Sequence, residues 1–264
     1  MDIFALIKAF ILGIVEGLTE FLPVSSTGHL IIAADLINFK GDTAEAFEII
    51  IQLGAILGVV WDYRRKVGSV LVGLNRPTER RFAINLLIAF LPAAIVGLLF
   101  HDLITEHLFN PRTVAMALIV GGVLILVIER LPLRVRVTDI DRLGYLDALK
   151  IGVAQVFSLF PGVSRAGATI MGGLLSGLSR TAATEFSFFL AMPVMFAATF
   201  YSLYKHPEIL HLHDLAVLAV GFVMSFFTAL VVVRVFLRYV SRHDFTVFAW
   251  YRIVFGGIVL YYYR

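Results

Sequence analysis

Apolar segments separated by short polar stretches recur along the whole chain. Six of them approach the length of about 20 residues that a membrane-spanning helix requires, and they lie at approximately 44–63, 82–100, 113–129, 183–204, 215–234 and 246–263. Four shorter segments lie at 3–20, 24–38, 148–160 and 167–178. A backbone in lipid must satisfy its own hydrogen bonds, which a helix does. The pattern therefore predicts an all-α integral membrane protein with six transmembrane helices.

The four short segments form two pairs, and glycine and proline interrupt both. The interruptions are Gly17, Pro23 and Gly28 in the first pair, and Pro161, Gly162 and Gly167 in the second. Short, interrupted apolar segments at corresponding positions in two halves of a chain are typical of broken helices that line a site at membrane depth. We therefore predict that each pair forms a re-entrant hairpin.

The two halves of the chain match when residues are shifted by 139 positions. The matched pairs include Gly13 with Gly152, Glu16 with Gln155, Phe21 with Phe160, Val24 with Val163, Ser25 with Ser164, Ser26 with Arg165 and Gly28 with Gly167. Pro23 and Pro161 miss this register by one residue. Together the matches predict a duplication, with repeats at approximately 1–129 and 130–264 inside a single membrane domain, 1–264.

Basic residues concentrate in alternate loops. Loops 64–81 and 130–147 and segment 234–243 are rich in arginine and lysine, whereas loops 101–112 and 205–214 carry one such residue each. The positive-inside rule places the basic loops in the cytoplasm. Tracing the chain from these loops, the first hairpin enters from the outside and the second from the inside. This predicts an inverted-topology repeat whose hairpin tips meet near the membrane midplane.

The composition agrees with a membrane protein and excludes several other classes. Of 264 residues, 59% are hydrophobic and 16% are charged, against about 25% charged residues in soluble domains. The mean hydropathy of +0.90 leaves no room for a soluble domain. The net charge of +3 lies in the loops, so it indicates orientation rather than nucleic-acid binding. The absence of cysteine excludes thiol chemistry.

Residues 16–29, with the sequence EGLTEFLPVSSTGH, place ionisable and hydroxyl groups where hydropathy would bury the chain in lipid. Ionisable groups at membrane depth are costly and usually functional. Glu16 and Glu20 are four residues apart, so they share one face of a helix. Together they can bind a hard divalent cation, or one can act as a base. The alternative is that each is neutral or paired in a packed bundle.

Ser25, Ser26 and Thr27 follow a proline and precede Gly28, which indicates a loop that opens into a helix. Free N–H groups at a helix N-terminus bind phosphate, and a serine there can act as a nucleophile if a base lies close. Simple N-capping is the alternative, although it needs only one hydroxyl. His29 is either a general acid or phosphate ligand, or a structural histidine.

The second broken segment, PGVSRAGAT at 161–169, supplies the cation that the first lacks. Ser164 and Arg165 again precede a glycine, Gly167, and a helix. Arginine at membrane depth requires an anion, which is either a glutamate of the first motif or a phosphate that it binds through two N–H groups. A structural salt bridge is the alternative. The combined residues suit phosphoryl transfer on a lipid, in which positioning and charge stabilisation dominate.

These two motifs resemble the signatures of the undecaprenyl-pyrophosphate phosphatase family, also called bacitracin-resistance proteins. The resemblance extends over essentially the whole chain, including EFSF at 185–188. It implies removal of the terminal phosphate from undecaprenyl pyrophosphate, which yields the lipid carrier used in peptidoglycan synthesis. It further implies a bacterial inner-membrane protein whose site opens to the periplasmic or outer face, and a divalent cation. The residues to which it assigns catalytic importance are Glu16, Glu20, Ser26, His29 and Arg165.

The expected mechanism places a pyrophosphate between the two hairpin tips. Arg165 and the tip amides bind it, and Glu16 and Glu20 hold Mg²⁺ or Ca²⁺. Ser26 attacks the terminal phosphorus with Glu20 as base, or water attacks directly and Ser26 only binds phosphate. The expected substrate-binding residues are Ser25, Thr27, Gly28, Ser164 and Gly167.

Two other function classes are weighed against this one. A second lipid-phosphatase superfamily has the pattern Ser-Arg, five residues and then His, but this chain has Met171 at that place, so a histidine nucleophile is unsupported. A transporter or lipid flippase would suit the inverted repeat, although carboxylates beside serine and arginine suggest chemistry. The sequence leaves open whether the chain forms a homodimer, which metal it prefers, and which prenyl chain lengths it accepts.

Overall fold

The computed structural model describes residues 3–39, 42–108, 110–205 and 215–263. Over these residues it is helical, apart from loops and one isolated β-bridge between Val137 and Leu178. The α-helices of the described residues are α1 Ile3–Thr19, α2 Ser26–Leu36, α3 Asp42–Asp62, α4 Arg64–Val72, α5 Pro77–Leu108, α6 Pro111–Arg130, α7 Tyr145–Val156, α8 Arg165–Leu175, α9 Arg180–Lys205, α10 Leu215–Val240 and α11 Thr246–Tyr262.

Each of the six predicted spans coincides with a helix, namely α3, α5, α6, α9, α10 or α11. Among the described residues, four stretches are long and apolar enough to cross a membrane: Pro77–Phe100, Pro111–Arg130, Arg180–Lys205 and Leu215–Val240. Ala46–Asp62 together with Arg64–Val72 is a fifth candidate, bent by 79°. Helix α11 is apolar but has 17 residues. The chain is therefore a multi-pass helical membrane protein.

Helix α4 is the element that the sequence does not predict, since residues 64–72 lie in an expected loop. The basic run that begins at Arg64 follows the apolar α3, and charged side chains stay at the polar boundary of a membrane rather than in its interior. Lys66 pairs with Asp141 at 2.6 Å and with Glu79 at 3.2 Å. These ion pairs tie α4 to the next basic loop. Most of the expected loop 205–214 lies outside the described residues.

Helices α1 and α2 form one hairpin, and α7 and α8, with a short 3-10 turn at Phe157–Leu159, form the other. Both second helices, α2 and α8, have 11 residues and begin after a serine with positive φ, 70° at Ser25 and 75° at Ser164. In each case the serine Oγ accepts a hydrogen bond from the N–H three residues later, that of Gly28 or Gly167. The two hairpins thus share a cap geometry at positions related by the shift of 139.

Each hairpin packs against a long helix from the other half of the chain. Helix α1 lies on α10, where Gly13 faces the main chain of Gly221, and α7 lies on α5, where Gly152 faces the main chain of Ala89. Small residues allow such close approach of helix backbones in membranes. Helices α6 and α11 pack on each other. This crossed packing brings the two hairpin tips together in the interior. The first tip is the loop between α1 and α2, and the second is the loop between α7 and α8.

Candidate active site

Glu20 is the residue at which the two hairpins meet. It follows the last residue of α1, its N–H donates to Glu16 O at 2.9 Å, and it is only 7% exposed. Its Oε2 accepts a hydrogen bond of 2.5 Å from Ser26 Oγ at the start of α2, and its Oε1 accepts one of 3.0 Å from Arg165 Nη2 at the start of α8. The structure therefore brings Ser26 and Arg165 to one carboxylate, as the shift of 139 predicts.

Arg165 has four neighbours around its guanidinium. Besides Glu20, Nη1 donates to the main-chain oxygen of Ser187 on α9 at 3.0 Å, and Nη2 lies 3.7 Å from Met195 Sδ. The guanidinium carbon lies 5.6 Å from the centroid of the Phe21 ring. The side chain is 11% exposed. The salt bridge considered from the sequence is present, and it joins the second hairpin to Glu20 of the first.

Glu16 lies one helical turn before Glu20 and is 1% exposed. Its Oε2 has no hydrogen-bond partner among the described residues. Buried polar atoms almost always have a partner, so an orphaned carboxylate oxygen points to a missing ligand or water. Glu16 interacts electrostatically with Glu20, Glu48 and Arg165. The described residues contain no group of three or more His, Cys, Asp or Glu side chains that could hold a metal ion, so a cation at this pair would need further oxygens, such as those of substrate and water.

The expected substrate-binding hydroxyls are largely engaged in holding the tips. Ser25 caps α2, as the capping alternative for the first motif has it, and Ser164 caps α8. Ser164 Oγ also donates to Leu22 O at 3.5 Å. Thr27 is partly buried. Gly28 packs against Val114 and Leu118 of α6, and Gly167 packs beside the guanidinium of Arg252.

His29 has a hydrogen-bond partner at each of its ring nitrogens. Nδ1 lies 2.7 Å from the carbonyl oxygen of Ser25 and Nε2 lies 2.6 Å from the hydroxyl of Tyr251 on α11. A carbonyl can only accept, so Nδ1 donates and, in the neutral imidazole, Nε2 accepts from the tyrosine. The ring also stacks on Phe255, with centroids 4.2 Å apart. The histidine therefore fixes the residue that precedes Ser26.

Arg252 on α11 is the residue that the sequence analysis misses. It is 1% exposed, and its hydrogen bonds go to the carbonyl oxygens of Pro23, Ala117, Leu118, Gly162 and Val163. A charged residue inside the apolar segment 246–263 is a signal of its own, because intramembrane arginines are rare and usually functional. Arg252 does not contribute to the charge of any loop, so the pattern of loop charges does not reveal it.

An apolar cavity of about 280 Å³ lies between α5, α7 and α9. Its lining includes Phe90, Leu98, Leu159 and Val194, the neighbour of the Met195 that contacts Arg165. Glu185, the first residue of the EFSF run, interacts electrostatically with Asp139, Asp141 and Lys66 in the basic loops. It therefore lies outside this site.

Comparisons with known proteins agree with these motifs. The family model described as "Bacitracin resistance protein BacA" matches residues 9–258. The undecaprenyl-diphosphatase of Nitrosomonas eutropha is 60% identical over 260 residues, covering 98% of this chain and 95% of that protein. That of Nitrosospira multiformis is 61% identical over 261 residues, covering 98% and 96%. That of Methylobacillus flagellatus is 56% identical over 268 residues, covering both chains fully.

Proposed function

The chain belongs to the bacitracin resistance protein family, and on this premise we propose that it hydrolyses undecaprenyl pyrophosphate to undecaprenyl phosphate and inorganic phosphate. This activity recycles the lipid carrier of peptidoglycan synthesis, and bacitracin resistance follows from it. The observation that carries the proposal is the Glu20 carboxylate, which binds Ser26 on one hairpin and Arg165 on the other. A base, a nucleophile and an anion-binding cation thus share one buried point.

The first step is attack by Ser26 Oγ on the terminal phosphorus. The hydrogen bond of 2.5 Å to Glu20 gives the hydroxyl proton a direct acceptor. As the Oγ–P bond forms, the bond between that phosphorus and the bridging oxygen breaks, and undecaprenyl phosphate leaves. Water then hydrolyses the phosphoserine and releases inorganic phosphate. In the alternative mechanism that the sequence leaves open, water attacks the phosphorus directly and Ser26 only binds the terminal phosphate.

Arg165 binds the phosphate groups and stabilises the charge that shifts to the leaving oxygen. Its planar guanidinium can grip two oxygens at once, and it lies at the N-terminus of α8, where the helix dipole also favours an anion. Two partners of the free protein, Glu20 and Ser187, hold it in place. His29 contributes by fixing Ser25, since its bond to Tyr251 occupies the nitrogen that a phosphate would need.

A divalent cation fits the two glutamates. The orphaned oxygen of Glu16 and the adjacent Glu20 are hard oxygen ligands, and Mg²⁺ or Ca²⁺ often binds through one or two carboxylates plus substrate phosphates. When bound, the ion would neutralise part of the charge on the pyrophosphate. The apolar cavity beside Val194 would accept part of the prenyl chain, since it adjoins the contact between Met195 and Arg165.

The membrane arrangement that we propose is an inverted repeat with six spans, in the inner membrane, with the site open to the periplasm. The shared caps at Ser25 and Ser164 and the crossed packing of α1 on α10 and α7 on α5 support the repeat. The basic loops support the orientation.

Phosphate release from the purified protein in detergent tests the function. Wild-type protein should release phosphate from undecaprenyl pyrophosphate, whereas a lipid flippase, the runner-up function, releases none. Asp62→Asn provides a control for removal of a carboxylate, because Asp62 is the last residue of α3 and pairs with Arg234 on α10, at 2.6 Å, rather than with Ser26 or Arg165. This control should keep wild-type turnover.

A further inference from the structure

Arg252 uses its whole hydrogen-bonding capacity on main-chain carbonyls. A guanidinium has five N–H donors. Nε donates to Leu118 O at 3.3 Å, and Nη1 donates to Pro23 O at 3.1 Å and Val163 O at 2.9 Å. Nη2 donates to Ala117 O at 3.1 Å and Gly162 O at 3.0 Å. Every donor is thus directed at backbone, and the residue is 1% exposed.

The five carbonyls come from both hairpin tips and from α6. Pro23 belongs to the first tip, Gly162 and Val163 to the second, and Ala117 and Leu118 to α6. Pro23 and Gly162 are related by the shift of 139 that also relates Ser26 to Arg165. The guanidinium therefore binds the same carbonyl position in each repeat, three residues before Ser26 and three residues before Arg165.

We infer that Arg252 is a positioning residue that holds the two tips at the separation at which Glu20 reaches both Ser26 and Arg165. It acts through the tip carbonyls and does not touch the substrate, and the inference rests on the proposed function. Besides the ion pair of Glu20 with Arg165, the described residues of the tips are joined directly by the long hydrogen bond from Ser164 Oγ to Leu22 O, at 3.5 Å. A planar cation with five fixed donors restrains two loops more tightly than a lysine, whose flexible ammonium has three donors.

Gly121→Ala provides a test that leaves Arg252 in the sequence. A methyl group at Gly121 on α6 would lie too close to the Arg252 guanidinium, so the guanidinium must shift from its place against the carbonyls. Gly257→Ala is the matched control, because a methyl group there meets no atom within 4 Å. Alanine is also a better helix former than glycine, so neither change weakens its helix intrinsically. Arg252→Lys is the second variant.

The separation of the tips can be measured by electron paramagnetic resonance, because the chain has no cysteine of its own. Leu18 and Phe157 lie on the two hairpins, at positions related by the shift of 139, and they are 43% and 63% exposed. The double variant Leu18→Cys with Phe157→Cys can therefore carry one spin label on each hairpin. The same proteins are assayed for kcat and KM on undecaprenyl pyrophosphate. Thermal melting gives the folded fraction.

We expect a single narrow distance distribution in the wild type and in Gly257→Ala, and a broader one in Gly121→Ala and Arg252→Lys. Because misplacement by about 1 Å can cost about a hundredfold in rate, kcat per folded molecule should fall about tenfold to a hundredfold in those two variants while KM changes less than about twofold.

Three results in Gly121→Ala and Arg252→Lys would overturn the inference. The first is an unchanged distance distribution with wild-type kcat. The second is a lower melting temperature with unchanged kcat per folded molecule, which would make Arg252 merely structural, and the third is a raised KM with unchanged kcat, which would mean that Arg252 binds the substrate anion. Absence of phosphate release from the wild type would refute the proposed function instead. The distance measurement would still test whether Arg252 holds the two tips at a fixed separation.

Discussion

At the scale of single residues, the site depends on contacts that join positions far apart in sequence. The offset between the repeats predicts that Ser26 and Arg165 meet, and the structure shows them on the same carboxylate. The bond of His29 to Tyr251 could not be predicted, since it spans 222 residues and no repeat relation links the two. Partners of this kind depend on how whole helices pack. The roles assigned to these residues stay predictions that substitution can test.

Replacing Glu20 with glutamine should remove activity with little effect on folding. The amide keeps the size of the side chain but cannot take the proton of Ser26, and its oxygen can replace only one of the two carboxylate acceptors, because the NH₂ group only donates. Loss of a base or charged group of this kind commonly lowers kcat by about a hundredfold or more. The measurement is phosphate release together with thermal melting, with Asp62→Asn as the matched carboxylate control. Normal hydrolysis by a well-folded Glu20→Gln protein would contradict the assignment.

Replacing Arg165 with lysine should fail almost as badly as replacing it with alanine. Lysine keeps the positive charge beside Glu20 but lacks the planar fork that binds two phosphate oxygens. If Arg165 only neutralised buried glutamates, lysine should restore much of the turnover. Hydrolysis by the two variants and the wild type, each corrected for folded fraction, separates these roles. Full turnover by Arg165→Ala would remove this residue from the site.

Chelation of divalent cations should abolish hydrolysis, and Glu16→Gln should raise the cation concentration needed for half-maximal activity. The reason is the unpartnered oxygen of Glu16, which a hard cation would satisfy. Titration of Mg²⁺ and of Ca²⁺ into chelated protein measures the shift. An unchanged cation requirement in Glu16→Gln would place the cation elsewhere.

At the scale of elements, hydropathy predicts the helices well and their junctions poorly. The short broken segments become α1, α2, α7 and α8 because glycine and proline interrupt them. The sequence does not reveal that Ser25 and Ser164 both adopt positive φ, a conformation that costs on the order of 1–3 kcal/mol in a non-glycine residue. Nor does it reveal α4, where Lys66 pairs with Glu79 of α5 and with Asp141. Such strained caps persist only where surrounding contacts hold them.

Gly17→Ala tests the crossed packing of α1 on α10. A methyl group there would lie against Ser225 O, Thr228 Cβ and the N of Ala229, all closer than real methyl contacts, so α1 must move outward. Overpacking of this kind typically destabilises by about 1–3 kcal/mol. Gly68→Ala on α4, where nothing lies within 4 Å, is the control and should be neutral or slightly stabilising. Thermal melting in detergent compares the two, and equal melting temperatures would contradict the tight contact.

At the scale of the whole molecule, each half of the chain supplies contacts that the hairpin of the other half needs. Each hairpin is supported by a long helix of the opposite half, and the two tips share Glu20 and Arg252. Loop charges predict how the chain is threaded through the membrane. They could not predict how closely the tips approach, because that distance is fixed by small residues and by a guanidinium buried between them. The threading itself can be tested without assuming any chemistry.

Cysteines placed at Val72 and Tyr204 should react with a membrane-impermeant reagent from opposite sides. These residues are 88% and 84% exposed, so different labelling reports sidedness rather than burial, and the chain has no other cysteine. In the proposed topology three crossings, α5, α6 and α9, separate them. On intact spheroplasts we expect Tyr204→Cys to react at once and Val72→Cys only after permeabilisation. If the hairpin of α7 and α8 crossed the membrane instead of returning to its own side, a fourth crossing would put both cysteines on one face. Equal labelling of both in intact spheroplasts would therefore exclude the re-entrant hairpin and, with it, the inverted repeat.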